Sequence, residues 1–383
     1  MRISTGHLRI AVNGRFLSRP ATGVDRFATE TLRALDDILE TFVMPDLEAP
    51  SVELLTPPGC SVPAYRRIRH REVPGPRSQR WEQWHLPRAC ESQFLVNLCN
   101  TAPIGKRDQL VVIHDAATWR LPGAFSPAFR RWYKFLLPIV ARTSRQVATV
   151  SNFSRGELAQ VLRLEEKRIR VLPEGAEHLH RLVADPSVLR RHALGSKPFV
   201  LAVSSVVPHK NFGLIVEALG QLKDTSFDVA IAGRTDKRVF GSTATASDPR
   251  IKWLGYVSDA ELRALYEGAG AFVFPSLYEG FGLPPLEAMS FGCPVICSNR
   301  ASMPEVCGDA AIFIDPQDPA ALATVLRKVI GSASLRDQLC EQGLRHSAQW
   351  TWHRTAVALL LLLYEAQGQN APDELSNQER LDI

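Results

Sequence analysis

Several residue patterns that define other classes of protein are missing from this chain of 383 residues. Its cysteines are odd in number and include no Cys-x-x-Cys pair, which speaks against structural zinc and against a disulfide framework. No Asp-x-Asp pair follows a predicted strand, so no metal site is predicted, and no internal repeat is present. Cys293 and Cys297 are expected to fill the core. The cysteines are Cys60, Cys90, Cys99, Cys293, Cys297, Cys307 and Cys340.

The sequence also contains no apolar run long enough to predict a membrane-spanning helix. The leucine run Leu359–Leu363 lies in a stretch shorter than the roughly twenty apolar residues of a spanning helix, and TWHRTAVALLLLLYEAQ predicts a buried helix instead. No long apolar stretch follows the first arginines, so no secretory signal is expected. We therefore expect a cytoplasmic protein whose polar residues from Asn370 onward form a loose tail.

Length and charge indicate two domains with different partners. The chain exceeds the roughly 250 to 300 residues at which single cores stop growing. Residues 1–190 contain 28 Lys plus Arg against 19 Asp plus Glu, and the remainder contains 17 against 21, which gives net charges of +9 and −4. This asymmetry predicts an anionic partner for the first half.

The segment from Phe272 to Asn299, FVFPSLYEGFGLPPLEAMSFGCPVICSN, carries the most chemical information. The apolar run Ala271–Phe274, which overlaps its start, predicts a buried parallel strand. Gly280 and Gly282 permit a tight turn, and the two prolines that follow suit the first turn of a helix. A strand, a glycine turn and a helix start form a crevice at the carboxyl end of a sheet, where amides and a helix dipole suit a diphosphate.

Two glutamates, Glu279 and Glu287, need a different explanation, because bare negative charge is unfavourable beside a phosphate. Carboxylates accept hydrogen bonds from pairs of hydroxyl groups, so the two residues are predicted to contact opposite ends of an elongated ligand. The alternative is that Glu279 is a solvated loop residue and that Glu287 is favoured only by the helix dipole.

This segment resembles the retaining glycosyltransferases of family 4, whose pattern is P-S-x-x-E-G-F-G-x-P-x-L-E-A-M-x-x-G-x-P-V. The resemblance implies that Glu279 contacts the transferred sugar and that Glu287 contacts the ribose of the donor nucleotide. The backbone from Gly280 through Phe281 and Gly282 to Leu283 would lie against sugar and phosphate. The implied fold is α/β of the GT-B type, with two facing Rossmann-like domains, a cleft between them and a final helix that crosses back to the first domain.

The resemblance extends to the start of the second half, SSVVPHKNF. It implies that Lys210 binds the donor diphosphate, although the alternative of an exposed loop lysine stays open. Many relatives have an arginine where this chain has Ser205, so Ser205 is a candidate contact and more of the neutralisation is expected from Lys210.

In the first half, Leu110–Ile113 predicts a strand that runs into His114 and Asp115. The segment VVIHDAATWRLPGAFSPAF resembles the family segment whose histidine borders the transferred sugar and the acceptor. A histidine satisfied within a core is the alternative. The resemblance also makes Gly23, and less directly Arg26, candidates beside the diphosphate; a helix cap without a ligand is the alternative.

The segments ATVSNFSRGEL and VLPEGAEH, both in the first half, also resemble segments of the family. Ser151 is predicted to cap a helix. Glu174 stands where the family commonly has Asn, and the sequence does not explain that change.

Two basic stretches contain aromatic residues, YRRIRHREVPGPRSQRWEQWHLPR and FRRWYKFLLPIVAR. Such segments can contact anionic lipid headgroups, which predicts a peripheral protein at the inner face of the membrane. The alternative is solvated arginines with Trp81, Trp84 and Trp132 facing the core. No nucleic-acid-binding motif accompanies them.

The combined prediction is a metal-independent hexosyltransferase without a cofactor. It would use a nucleotide sugar, preferably GDP-mannose, and a lipid-linked or polysaccharide acceptor in surface-polysaccharide assembly. The resemblance implies retention, with the departing phosphate accepting the acceptor's proton and no protein nucleophile. A sugar-nucleotide epimerase and a non-catalytic binding subunit remain alternatives. The predicted domains are 1–185 on the acceptor side and 186–349 on the donor side, followed by a helix at 350–369 and a tail at 370–383.

Overall fold

A computed structural model describes residues 8–42, 49–204, 207–222, 226–233, 248–372 and 375. The predicted contact residue Ser205 lies outside this set. The chain divides into two compact units. The first contains the residues up to Gly175 and those from Thr351 onward, and the second is Ala176–Trp350. The division after Gly175 comes earlier than the predicted boundary after residue 185.

The described part of the first unit contains a seven-stranded parallel sheet with the order β3-β2-β1-β4-β5-β6-β7. Its central strands are short apolar runs that are buried on both faces, as expected for a sheet covered by helices on both sides. The strands are β1 Arg9–Asn13, β2 Ser51–Thr56, β3 Arg69–Glu72, β4 Phe94–Asn97, β5 Gln109–Val112, β6 Gln146–Thr149 and β7 Ile169–Val171.

Helices of the first unit follow these strands and cover the sheet. Several begin with a side-chain cap: Ser126 accepts from the amide of Phe129, and Ser151 accepts from the amide of Ser154. The predicted capping role of Ser151 is therefore confirmed. The helices are α1 Gly23–Thr41, α2 Leu86–Ala89, α3 Ala117–Arg120, α4 Pro127–Thr143 and α5 Asn152–Leu162.

The second unit has a six-stranded parallel sheet in its described part, with the order β10-β9-β8-β11-β12-β13. The strands are β8 Phe199–Val203, β9 Asp228–Ala232, β10 Ile251–Gly255, β11 Ala271–Phe274, β12 Val295–Ser298 and β13 Ala311–Ile314. The helices are α6 Ser187–Arg191, α7 Phe212–Gly220, α8 Asp259–Gly268, α9 Leu283–Ser290, α10 Met303–Cys307, α11 Pro319–Gly331 and α12 Ala333–Ser347.

The leucine-rich segment near the end of the chain forms helix α13, Trp352–Ala366, and groups with the first unit. It packs on α1, where the rings of Phe27 and Trp352 are 6.0 Å apart. The hydroxyl of Thr355 also donates to the carbonyl of Pro173 at 2.6 Å. Most of its leucines are buried, so the predicted buried helix is confirmed. Among the described residues, no helix combines the length and the apolar character needed to cross a bilayer.

The strand order of each sheet identifies the place where a ligand is expected. In a doubly wound sheet, successive strands are added first on one side and then on the other, and the loops at the reversal diverge to leave a crevice. In the first unit the reversal falls between β1 and β4, and in the second unit it falls between β8 and β11. The loops after these strands are therefore the expected ligand-binding parts of each unit.

Candidate functional site

The predicted strand, turn and helix of the second unit are present. Strand β11 is buried at all four positions, and α9 begins at Leu283 with Pro284 and Pro285 in its first turn. Because prolines have no amide hydrogen, they remove two of the donors that a helix start usually offers. The first turn of α9 therefore offers fewer backbone donors than a helix start without prolines would.

Gly282 is required at its position for two reasons. Its φ of +101° lies in the left-handed region, where the backbone of any residue with a side chain is strained. A Cβ added to it would also lie 2.0 Å from the terminal methyl group of Met303. The loop before it is fixed by the buried hydroxyl of Ser302, which donates to the carbonyls of Glu279 at 3.1 Å and Phe281 at 2.6 Å. The turn is therefore held in one conformation by packing and hydrogen bonds.

Lys210 and Glu279 meet at the reversal point of the second sheet. The Lys210 ammonium lies 2.6 Å from a carboxylate oxygen of Glu279, and both side chains are largely buried. Lys210 ends a short helical turn after β8, whereas Glu279 lies in the loop after β11. The structure thus joins the residue predicted to bind a diphosphate with the residue predicted to contact the sugar.

The two loops that carry this ion pair are also joined through the backbone. The amide of Leu277 donates to the carbonyl of His209 at 2.8 Å. Asn211, which has a positive φ, donates from its side chain to the carbonyls of Pro275 and Pro316. Lys210 therefore extends from a rigid support, which suits a charge that must be placed before a ligand arrives.

Glu287 is buried and has different partners. Its two carboxylate oxygens lie 2.8 Å from the hydroxyl of Tyr266 and 3.0 Å from Nε2 of His178. Tyr266 belongs to α8, and His178 lies in a helical turn shortly after the chain enters the second unit. Neither residue was identified from the sequence, because nothing in the Glu-x7-Glu pattern points to them.

In the first unit, His114 follows β5 and is buried. Its Nε2 lies 2.8 Å from the carbonyl oxygen of Leu98, which requires that Nε2 carry a hydrogen. Its ring meets Phe27 of α1 edge-on at 4.9 Å. Burial lowers the pKa of His114 to about 4, against the weaker opposing effects of the Leu98 carbonyl and Asp25. The imidazole is therefore neutral at neutral pH, and Nδ1 is the acceptor nitrogen.

Glu174 supplies the group that faces this nitrogen. One of its carboxylate oxygens is 3.9 Å from Nδ1 of His114, and both side chains are buried. The sequence could not explain Glu174, and the structure gives it a location beside the histidine. Asp115 has a local role in addition to any ligand contact: its carboxylate accepts from the amide of Ala117 at 2.7 Å, which supports the start of α3.

Gly23 is the first residue of α1, and Thr22 and Asp25 form the capping box. Asp25 accepts from the amide of Thr22 at 2.9 Å and from Arg19 at 2.7 Å. Gly23 has no positive φ, and a Cβ added to it would meet nothing within 4 Å. Neither backbone conformation nor packing in the protein therefore explains why this position is glycine. Arg26, the less direct candidate, lies in the first turn of the same helix.

A buried polar network at the reversal point of the first sheet was also missed by sequence reasoning. Asn13 ends β1 and donates to Glu82 at 2.8 Å and to Asn97, the last residue of β4, at 3.0 Å. Glu82 lies in a single π-helical turn, Trp81–His85, and pairs with Arg15 at 3.2 Å. The segment WEQWH contains Glu82, and its sequence suggests a structural role. Nothing in the segment indicates that Glu82 contacts Asn13.

The tryptophans of the basic stretches differ in environment. Trp81 is fully buried and donates from its indole to the carbonyl of Val73 at 2.9 Å. Trp132 is partly buried. Trp84 is 55% exposed, so the alternative that places it toward the core is wrong for this residue.

Comparison with known proteins identifies the class to which this architecture belongs. Among solved structures, the chain is similar to sucrose-phosphate synthase from Thermosynechococcus elongatus, with a TM-score of 0.73, 18% identity and coverage of 94% of this chain and 100% of that one. It is also similar to WaaG, a glycosyltransferase involved in lipopolysaccharide biosynthesis, with a TM-score of 0.69, 14% identity and coverage of 93% and 99%. The fold is that of the GT-B glycosyltransferases, and the predicted fold class is confirmed.

The family assignment comes from the second unit. Residues 189–346 match the family described as Glycosyl transferases group 1. The chain therefore carries a domain of that family, which confirms the resemblance to glycosyltransferases. The chain is 31% identical over 254 residues to O-antigen chain mannosyltransferase B of Escherichia coli, covering 63% of this chain and 66% of the relative. It is 26% identical over 226 residues to the O-antigen chain mannosyltransferase RfbU of Salmonella typhimurium, covering 58% and 61%. The chain spans just under two thirds of the length of these relatives.

Proposed function

We propose that this protein is a retaining, metal-independent glycosyltransferase that moves a hexose from a nucleotide sugar to a lipid-linked or polysaccharide acceptor. The observation that carries the proposal is the contact between Lys210 and Glu279 at the reversal point of the second sheet. A cation and a carboxylate on rigid neighbouring loops suit a ligand that has a diphosphate next to a polyhydroxylated ring.

The chemistry follows from the charges that develop as the donor reacts. When the bond between the anomeric carbon and the phosphate oxygen lengthens, positive charge grows on the sugar and negative charge grows on the diphosphate. Lys210 and the amides around Gly282 stabilise the diphosphate, a contribution that is typically about a hundredfold or more in rate for one well-placed donor. Glu279 accepts hydrogen bonds from the sugar hydroxyls. The acceptor oxygen attacks from the same face, and its proton passes to the departing phosphate oxygen.

In the first unit, the carboxyl ends of the strands are the candidate acceptor side. Neutral His114 offers Nδ1 as an acceptor for a sugar hydroxyl, and Asp115 follows it in the chain. Gly23 leaves open space at the start of α1, so a ligand could approach the backbone there. These contacts would orient the substrates, and none of these residues forms a covalent bond to the sugar.

GDP-mannose is the preferred donor, because relatives of this chain are named as mannosyltransferases. A thermal-shift panel with GDP, UDP, dTDP and ADP tests the nucleotide. We expect GDP to raise the melting temperature most, and stabilisation by UDP alone would overturn the GDP assignment. Incubation with the matching nucleotide sugar then tests the reaction: slow release of nucleoside diphosphate supports transfer. An altered sugar on an intact nucleotide indicates an epimerase, and no change indicates a binding subunit.

Contact with a membrane surface would bring the enzyme to a lipid-linked acceptor, and α4 is the element that suits it. In the first basic stretch, arginines are used within the fold: Arg66 pairs with Glu40, and Arg71 pairs with Glu53. In α4, by contrast, Arg131 and Lys134 are exposed, and within the described ranges no carboxylate pairs with either. Phe135 is 57% exposed beside them. Exposed aromatic and basic side chains on one helix suit anionic headgroups.

A further inference from the structure

The carboxylate of Glu287 is held by two side chains that lie outside the Glu-x7-Glu segment. The Tyr266 hydroxyl donates to one oxygen at 2.8 Å, and His178 Nε2 lies 3.0 Å from the other. All three side chains are buried: Tyr266 is 1% exposed, Glu287 4% and His178 1%. Three separate elements, namely α8, α9 and the turn Glu177–Arg181, therefore meet at one carboxylate.

Aromatic packing fixes the tyrosine itself. Its ring lies 5.6 Å from that of Phe272 in an edge contact and 6.2 Å from that of Phe291 in a stacked arrangement. Phe272 belongs to β11, and Phe291 immediately follows α9. The tyrosine hydroxyl consequently reaches Glu287 from a ring that has little freedom to rotate away.

A buried carboxylate is costly unless hydrogen bonds compensate for the lost water. Tyr266 supplies one such bond, and the His178 ring nitrogen lies 3.0 Å from the other carboxylate oxygen. Their contacts on opposite oxygens also prevent rotation of the carboxylate group. Two further donors that arrive together, as in a vicinal diol, therefore meet acceptors whose direction is already set.

We propose that Tyr266 and His178 are positioning residues that orient the Glu287 carboxylate toward the ribose hydroxyl pair of the donor nucleotide. The inference rests on the proposed function, in which Glu287 contacts the ribose. It adds that discrimination for a ribose diol depends on side chains outside the family segment, one from α8 and one from the turn after Ala176.

The test compares GDP with 2′,3′-dideoxy-GDP by isothermal titration calorimetry, with the UDP pair run in parallel. The wild type should bind the ribose form more tightly. Tyr266→Phe should lose roughly tenfold affinity for the ribose form, the size expected for one hydrogen bond to a charged group, and little for the dideoxy form. His178→Ala should act in the same way, and His178→Gln, which restores an N–H donor, should recover part of the loss. Tyr256→Phe is the matched control, because Tyr256 is 75% exposed.

The outcomes separate this inference from the proposed function. If the wild type does not distinguish the two forms of either nucleotide, the ribose role of Glu287 fails and the inference fails with it. If the wild type distinguishes them and both Tyr266→Phe and His178→Ala retain that discrimination, only the inference is overturned. Equal loss of affinity for both forms would show a purely structural role and would also overturn it. Circular dichroism of each variant identifies any that fails to fold, and the remaining variant then decides.

Discussion

The ammonium group of Lys210 and the carboxylate of Glu279 form a partly buried ion pair at 2.6 Å. The proposed function assigns these two groups to different parts of one donor, the diphosphate and the sugar. Under that assignment, Glu279 would compete with the diphosphate for Lys210 until the complete donor is bound. The pair also holds both side chains in place, which reduces the ordering that substrate binding would otherwise require.

Replacing Glu279 by Gln separates these two roles. We expect Glu279→Gln to bind GDP as tightly as the wild type or a few-fold more tightly, because Lys210 loses its competing carboxylate. Turnover with the sugar nucleotide should fall by roughly a hundredfold, since the contact to the developing positive charge is weakened. Calorimetry and steady-state kinetics measure the two effects. Glu341→Gln, at an exposed pair with Arg345, is the control. Weaker GDP binding in Glu279→Gln would contradict the competition.

Two glycines should respond oppositely to alanine. Gly282→Ala should destabilise the protein by about 2 kcal/mol or more, because the residue has a positive φ and its Cβ would meet Met303. Gly23→Ala should leave the melting temperature unchanged or slightly raised, because the added methyl group meets nothing and alanine favours a helix. If a ligand approaches Gly23, this variant should nevertheless lose activity. Full activity in a stable Gly23→Ala would remove Gly23 from the site.

The buried His114 should make stability depend on pH. Burial lowers its pKa from 6.5 to about 4 in the folded protein, so the unfolded chain binds a proton more readily. The stability that this provides is complete above pH 6.5 and is lost as pH falls toward 4, by up to about 3 kcal/mol. Urea unfolding at pH 7 and pH 5 should therefore show a smaller loss for His114→Asn than for the wild type. Parallel pH profiles would contradict the lowered pKa.

Turnover should be sensitive to the group that faces His114. Glu174→Gln introduces an amide that can donate to Nδ1 and occupy the nitrogen proposed for a substrate hydroxyl. We expect a fall in turnover of roughly tenfold, the worth of about one hydrogen bond, with a small change in melting temperature. Asn, the residue common at this position in the family, has a side chain too short to reach Nδ1 of His114. Glu174→Asn should therefore retain more activity than Glu174→Gln. Unchanged turnover in both variants would show that Nδ1 does not contact the substrate.

Membrane binding should depend on α4. Flotation with vesicles that contain anionic phospholipid should recover the wild type, whereas neutral vesicles should recover much less. Arg131→Glu and Phe135→Ser should each reduce recovery, because one removes a cation worth about 1 kcal/mol at an anionic surface and the other removes an exposed aromatic ring. Val183→Ser is the control, at a position that is 88% exposed in the second unit. Equal recovery of all variants would exclude α4 as the contact.

Local features of the fold were predictable from the sequence. Strand β11 and the start of α9 were predictable because their signals are local. A short apolar run indicates a buried strand, glycines permit the turn, and paired prolines suit the first turn of a helix. The core positions of Cys293 and Cys297 followed from their apolar neighbours and are confirmed. The exposure of Trp84 was not predictable, because composition does not reveal which way a short irregular turn faces.

The sequence alone determined the types of chemical group in the candidate site, together with the glycines and prolines that shape its loop. Only the tertiary structure decided which groups meet. Lys210 and Glu279 are 69 positions apart, and they touch because β8 and β11 are neighbours in the sheet. Tyr266 and His178 reach Glu287 because the turn Glu177–Arg181 packs against α8 and α9. Glu174 lies near His114 because the carboxyl ends of the parallel strands β7 and β5 share one edge of the sheet. Hydrogen bonds and ion pairs act over a few ångströms, so partners distant in sequence are fixed by the strand order and packing that bring them together.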